Sequence, residues 1–221
     1  MKNSCKIWPI SESALIVSFE QTISETVHDQ VLSLQKAILD DPFPGFTECV
    51  PAYASLTVFY DFFELKKKVK SVLPYLTAVL KEKSDELADH WVSNENRLIE
   101  IPVKYDGEDL EYVAESNGLS VKEVIKIHAS GSYRVYMLGF LPGFAYLGGM
   151  DRRIATPRRI NPRLAVDAGS VGIAGPQTGI YPMKSPGGWQ IIGKTEVPLF
   201  DPENKTPVLL RVGDIIKFTK I

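Results

Sequence analysis

Hydrophobic and polar positions run along the chain in two rhythms. Ala14-Leu15-Ile16-Val17-Ser18-Phe19 is an apolar run without glycine or proline, and it predicts a strand. Beyond it, Val27, Val31, Leu34 and Ile38 recur on one helical face. Thr22-Ile23-Ser24-Glu25 has capping-box spacing ahead of that helix, with Thr22 as the cap and Glu25 reaching back. Asp41-Pro42-Phe43-Pro44-Gly45 ends it. The stretch from Glu48 to Tyr60 contains a second strand, Ser55-Leu56-Thr57-Val58-Phe59-Tyr60. A second helix is expected over Glu64 to Lys83, with Leu65, Val69, Val72, Leu76 and Val79 as its apolar face and Pro74 inside to kink or split it. The order β-α-β-α suits a small open-faced sandwich of two helices on a sheet.

Further on the rhythm shortens. Leu98-Ile99-Glu100-Ile101-Pro102-Val103 reads as a strand, and two short helices follow. The first holds Leu110-Glu111-Tyr112-Val113-Ala114. The second opens on the capping box Ser120-Val121-Lys122-Glu123 and is lined by Val121, Val124, Ile125 and His128. Short apolar runs then alternate with turns: Tyr133–Leu138, Val171–Ala174, Trp189–Ile192, Val208–Leu210 and Ile215–Phe218. Such spacing predicts a β-barrel or sandwich. Glycine and proline divide the same way: thirteen of sixteen glycines lie from Gly131 onward and nine of fifteen prolines from Pro142 onward, which excludes long helices there. The expected fold is therefore α+β in two domains, a small α/β sandwich over residues 1–96 and a β-barrel over 97–221, with the seam near Asn94–Leu98. The sequence holds no internal repeat.

Composition narrows the function. With 221 residues, 44% apolar and 24% charged, the chain can bury ordinary globular cores. A net charge of -2 argues against nucleic acid or an anionic membrane as partner. The first residues carry no apolar leader and no run approaches a membrane span, so a cytoplasmic location is expected. Cys5 and Cys49 read as free buried thiols. His28, His90 and His128 stand apart, so no metal site is expected. At its helix end, His128 reads as a partly charged imidazole facing the last carbonyls.

Three segments carry candidate chemistry. Arg152, Arg153, Arg158, Arg159 and Arg163, five of eight arginines, fall within twelve residues broken by Pro157 and Pro162. They decorate a rigid loop, and guanidinium groups fork onto carboxylates and phosphates. Gly169-Ser170-Val171-Gly172-Ile173-Ala174-Gly175 lacks the lysine of a P-loop and opens no helix. It is either a strand–turn corner or an anion site made of backbone N–H groups. Gly139-Phe140-Leu141-Pro142-Gly143-Phe144 and Ser185-Pro186-Gly187-Gly188-Trp189 set aromatic rings on turn-rich backbone, the makings of barrel corners or of a shaped pocket wall.

Five motifs in order carry a resemblance: Gly139-Phe140-Leu141-Pro142-Gly143-Phe144, Thr156-Pro157-Arg158-Arg159, Ala168-Gly169-Ser170-Val171, Gln177-Thr178-Gly179-Ile180-Tyr181-Pro182 and Ser185-Pro186-Gly187-Gly188-Trp189. Together they resemble the family that holds the B subunit of 5-oxoprolinase, the kinase inhibitor KipI and the protein type once called allophanate hydrolase subunit 1. The resemblance implies a cyclophilin-like barrel after a small α/β domain. It also implies two partners, a C subunit of related barrel fold and an A subunit that completes the enzyme. The implied reaction is ATP-dependent opening of 5-oxo-L-proline to L-glutamate, with ATP and Mg as substrate of the complex. The alternatives inside the family are a histidine-kinase inhibitor and a urea- or allophanate-metabolising component. On this basis Arg158, Arg163 and Ser170 are expected to be catalytic. Phe140, Pro142, Gly143, Phe144, Arg159, Gly169, Gly172, Gln177, Tyr181, Ser185, Gly187, Gly188 and Trp189 are expected to form the substrate or nucleotide pocket. Arginines would neutralise anions, backbone and hydroxyl donors of the glycine segment would help, and aromatic rings would exclude water. No complete catalytic set is visible, so the lone chain is expected to be inactive. Asp167 and Ala145 depart from the family pattern, which has proline at both positions, and Asp167 is left out of the site.

Overall fold

The computed structural model describes residues 5–87 and 96–221. His90 and the first half of the expected seam, Asn94 and Glu95, lie outside the described residues. The chain divides into two compact units, Met1–Glu95 and Asn96–Ile221.

The N-terminal unit has one antiparallel sheet of β1 (Lys6–Ser11), β2 (Ala14–Ser18), β3 (Phe46–Pro51) and β4 (Ser55–Tyr60), in the order β1-β2-β4-β3. Its helices are α1 (Glu25–Asp40), α2 (Phe62–Lys68) and α3 (Val72–Leu87). The core joins Leu15 and Val17 of β2 and Leu56 and Val58 of β4 to Val27, Val31, Leu34 and Ile38 of α1 and Leu76 and Leu80 of α3. Each fully buried aliphatic side chain contributes about 1.5–3 kcal/mol.

Several expectations need correction. The sheet has four strands, not two. Pro9 hid β1, which lies at the edge of the sheet beside β2, the place in a sheet where proline is tolerated. The cap of α1 is Ser24, whose Oγ accepts from Val27 N–H at 3.2 Å; Thr22 is taken up in a turn, its N–H bonded to the Glu20 carbonyl at 2.7 Å. The second helix does split, but between Lys68 and Val72, leaving Pro74 in the first turn of α3, where a proline's missing N–H has no helical partner to lose. Cys5 and Cys49 are free but half-buried rather than buried.

The C-terminal unit is built on a seven-stranded sheet of β5 (Leu98–Val103), β6 (Tyr133–Leu138), β7 (Ala145–Gly148), β9 (Ser170–Ala174), β10 (Gln177–Ile180), β12 (Gln190–Lys194) and β13 (Ile215–Lys220). The order is β12-β9-β10-β7-β6-β13-β5, antiparallel except for β13 beside β5. Lys104, just past β5, bridges Lys194 at the end of β12 through two backbone hydrogen bonds of 2.8 and 2.9 Å, so the sheet nearly closes on itself. Helices α4 (Leu110–Ser116) and α5 (Val121–Ser130) join β5 to β6. The Ser120–Glu123 capping box is fully formed. A separate ribbon pairs β8 (Arg163–Val166) with β11 (Ser185–Gly187). Val208–Leu210 is not a strand; it makes a single bridge between Val208 and Phe200.

Inside this sheet lies His128, fully buried and stacked on Phe218 at 4.6 Å between ring centres. Thr178 Oγ1 donates to the Gly172 carbonyl at 3.0 Å, so it accepts from His128 Nε2–H at 2.9 Å; Nδ1 then accepts from the Tyr105 hydroxyl at 2.8 Å. Burial pushes the His128 pKa down to about 3. The expected partly charged helix-end imidazole is thus corrected: the ring is neutral because no acid accompanies it out of water.

Candidate functional site

A second, smaller apolar cluster stands apart from the barrel core and consists of Phe144, Val166, Ala174, Tyr181, Trp189 and Ile191, with Leu141 and Tyr146 against it. The Phe144 ring is its hub. It meets Trp189 at 5.4 Å and 89°, Tyr181 at 5.4 Å and 76°, and Tyr146 at 5.0 Å and 64°. These edge-to-face pairs add about 0.5–1.5 kcal/mol each beyond burial and hold the rings at set angles. Phe140 closes over Phe144 at 5.6 Å while remaining 62% exposed.

Glycines make the room. A Cβ on Gly172 would lie 3.1 Å from the Trp189 Cβ, and one on Gly179 3.0 Å from the indole ring. A Cβ on Gly187 would overlap the Tyr181 hydroxyl. The backbone of β9, β10 and β11 is therefore stripped wherever Trp189 and Tyr181 lie against it.

The rings border a recess of ≈ 210 Å³, completed by Arg158, Pro162, Pro186, Gly187 and Gly188. The Arg158 guanidinium lies 5.8 Å from the Trp189 ring centre, within cation–π range. Among the described residues it forms no ion pair. It also borders an adjoining hollow of ≈ 270 Å³ with Tyr112, Arg159, Ile160, Asn161 and Gln190. Burial raises the pKa of Tyr181, opposed by its Trp189 backbone hydrogen bond and by Arg158 and Arg163, so its hydroxyl is a neutral donor near pH 7. A dry wall, a neutral hydroxyl and a charge without a counter-ion make a place for a small anion with a flat apolar body.

Of the sequence-predicted residues, Phe140, Phe144, Arg158, Tyr181, Gly187, Gly188 and Trp189 converge on this recess. Tyr146, Pro162 and Pro186 were missed; Tyr146, in β7, follows Phe144 by two, a same-face signal that was available. The other two arginines are already paired. Arg159 meets Asp109 at 2.9 Å, and Arg163 meets Asp109 at 2.6 Å and Glu108 at 2.7 Å. Burial works against the Arg163 charge, but Asp109 and Glu108 outweigh it and hold the pKa above its usual value.

Nor does the glycine segment reach the recess. Gly169 N–H donates to the Tyr181 carbonyl at 2.7 Å and Ser170 N–H to Asp167 at 3.3 Å, while Gly172 lies in the sheet ladder; these donors are spent on the fold. Ser170 is buried and borders a different hollow of ≈ 270 Å³ with Asp106, Glu108 and Asp167. Gln177 opens β10 after the Gly175 turn. Pro142 is exposed and Gly143 buried in the loop before β7, with a positive φ of 80° at Gly143. Ser185 is buried in β11, opposite Val166.

A wider hollow of ≈ 860 Å³ opens in the N-terminal unit among Trp8, Ser18, Gln21 and Gln30. Its lining mixes apolar side chains with hydroxyls and amides, and its charges, Lys6 and Glu20, are opposite in sign, so it lacks the unbalanced charge that marks the smaller recess. No group of three or more potential metal ligands occurs among the described residues. No described helix is long and apolar enough to cross a membrane.

The chain that folds into this nearly closed sheet belongs to the carboxyltransferase-domain family: the model of the carboxyltransferase domain, subdomain C and D, matches residues 5–210. Within the family it is 49% identical over 223 residues to the B subunit of 5-oxoprolinase from Bacillus subtilis (strain 168), covering 98% of this chain and 92% of that protein. The crystal structure of TTHA0988 superposes with a TM-score of 0.81 at 40% identity, covering 94% of this chain and 40% of that one, so this chain spans about two fifths of that protein's length. Urea amidolyase from K. lactis shares the fold at a TM-score of 0.79 and 17% identity, covering 100% of this chain and 15% of that chain.

Proposed function

We propose that this chain is one component of an ATP-dependent 5-oxoprolinase and that the aromatic recess holds 5-oxo-L-proline. The observation that carries the reading is Arg158, a guanidinium with no ion pair among the described residues, 5.8 Å from the Trp189 ring. A planar lactam suits the Trp189 and Tyr146 faces, and its carboxylate suits Arg158. Amide resonance makes the lactam carbonyl a poor electrophile, and phosphorylation of its oxygen turns that oxygen into a leaving group. Both substrate and phosphoryl group are anionic, so the reaction needs charge brought to a dry place. ATP with Mg enters as substrate of the complex, in the cytoplasm where it is abundant, and no residue of this chain is assigned to it.

The barrel is of the cyclophilin-like kind. Its partner is the C subunit of related barrel fold, and the A subunit completes the enzyme. Ile160 and Leu164, 97% and 94% exposed, flank Arg158 and Arg163 and offer the apolar surface on which that partner closes the recess. The isolated chain is inactive on this reading. The histidine-kinase inhibitor remains the alternative; it uses the same apolar rim but gives Arg158 no anion to hold.

The test is 5-oxoproline-dependent ATP hydrolysis by the assembled complex. Arg158→Ala is expected to lower kcat/KM by about 10- to 100-fold, the loss of a charged hydrogen-bond partner. Unchanged turnover removes the recess from the reaction.

A further inference from the structure

Asp109 directly precedes α4, where an aspartate ordinarily caps the helix. Its side chain makes no capping bond. Both oxygens turn away toward the arginine loop, and the carboxylate is only 6% exposed. Oδ1 accepts from Arg159 Nη1 at 2.9 Å and from Arg163 Nη2 at 2.7 Å. Oδ2 accepts from Arg163 Nη2 and from the Ile191 backbone N–H, both at 2.6 Å. The Asp109 N–H donates in turn to the Ile191 carbonyl at 2.9 Å, so one residue grips Ile191 at both polar groups.

Arg163 carries the grip onward, donating from Nη1 to the Trp189 carbonyl at 3.2 Å. Two further ties join the same strands of chain: Arg159 N–H to the Gly188 carbonyl and Gln190 Nε2 to the Pro157 carbonyl, each at 2.8 Å. Arg158 lies between the tied residues Pro157 and Arg159. Trp189 lies between the tied residues Gly188 and Gln190. Asp109 touches neither functional group, but it adds a third link to these two ties, binding Arg159 and Arg163 of the loop on one side and Ile191 of the Trp189 strand on the other.

We infer that Asp109 is a positioning residue that holds the Arg158 guanidinium over the Trp189 ring. The inference rests on the recess reading above and extends it to a residue some fifty positions away in sequence. Asp109 fixes the 157–163 loop, and the two arginines it binds are the clamp, leaving Arg158 as the one presented to ligand. Replacing the carboxylate by an amide keeps its shape but leaves Arg159 without its anion and Arg163 with Glu108 alone. The loop then loosens, and Arg158 with it.

A double-mutant cycle in the assembled complex tests this, with KM for 5-oxoproline as readout and the thermal midpoint of each variant recorded alongside. Arg158→Ala raises KM by about tenfold or more, and Asp109→Asn raises it by about the same order. In the Arg158→Ala background, Asp109→Asn adds less than about twofold, because the group it positions is gone. Arg159→Gln removes one tie at a half-exposed residue, so it folds even where Asp109→Asn does not. It raises KM a few-fold in the presence of Arg158 and not in its absence. Independent, multiplying effects overturn the inference, as does an unchanged KM in both Asp109→Asn and Arg159→Gln while Arg158→Ala moves it. A silent Arg158→Ala overturns the recess reading itself, and so separates the two failures.

Discussion

The C-terminal unit contains two aromatic clusters, each with a basic side chain against its rings, and they have opposite characters. In one, His128 lies between Phe218 and Tyr133, bonded at both nitrogens, with no exposed surface. In the other, Arg158 lies beside Trp189, without an ion-pair partner among the described residues and open to a recess. A nitrogen base whose every valence is met inside the protein is structure. One kept charged, unpaired and dry-walled at an opening is held ready for something else. The same contrast separates the arginines: Arg163 is spent on Asp109 and Glu108, while Arg158 is not.

The contrast breaks most sharply under truncation. His128→Ala deletes a buried ring and strands the Tyr105 hydroxyl, so it is expected to cost about 3–5 kcal/mol of stability in urea unfolding. Arg158→Ala, at an exposed residue, is expected to change stability by less than about 0.5 kcal/mol while lowering kcat/KM by about 10- to 100-fold. Equal stability losses for the two would erase the distinction.

Acid sharpens it. The His128 pKa is lowered to about 3 in the folded chain against an ordinary 6.5. Below pH 6.5 the unfolded chain takes up a proton that the folded chain refuses. The stabilisation from a neutral His128 is therefore complete above pH 6.5 and falls as pH drops toward 3, by up to about 1.4 kcal/mol per pH unit. Between pH 6.5 and 5 this amounts to about 2 kcal/mol, in a range where most carboxylates stay charged. Urea midpoints at pH 7 and pH 5 should show that loss in the natural chain and not in His128→Gln. A parallel loss in both would place the titration elsewhere.

The rim around Arg158 gives a smaller effect. Ile160→Asp and Leu164→Asp alter side chains that are almost fully exposed, so stability should hold. If a partner covers them, each should weaken co-assembly with the C subunit by about tenfold, near 1.4 kcal/mol. Undiminished assembly for both would move the partner to another face.

How much of this was legible follows from the kind of signal each feature leaves. Period-two runs without breakers, as in β2 and β4, and the local Ser120–Glu123 box are written in adjacent residues, and they stand where expected. The aromatic wall was legible because Phe140, Phe144, Tyr181 and Trp189 sit on glycine- and proline-rich backbone that regular strands do not use. β1 was not, since a proline inside an edge strand looks like a break. Ser24 lost to Thr22 because capping-box spacing ignores where the turn before the helix ends. Asp109 left no trace at all. A single acid beside a short helix reads as a cap, and only the folded chain brings Arg159, Arg163 and Ile191 to it. Ser170 shows the reverse case: a hydroxyl in a glycine-rich motif reads as chemistry, while in the folded chain the backbone of that segment is bonded to Tyr181.

The smallest expected effect concerns the lip of the recess. Phe140 holds a φ of 72°, and no other non-glycine residue among those described has a positive φ. Gly139 and Gly143 stand on either side of it, so the loop places an aromatic where glycine would be relaxed. The ring is 62% exposed, so burial alone does not offset the strain. Phe140→Gly should therefore leave stability unchanged or raise it by about 0.5–1 kcal/mol, despite losing the contact with Phe144. It should also raise KM for 5-oxoproline in the complex, because the recess loses its lip. His128, where strain is absent and burial complete, must behave in the opposite way, with stability lost before function. If Phe140→Gly destabilises the chain by more than about 1 kcal/mol, its ring belongs to the core it borders, and the line between the two clusters runs through Phe144 instead.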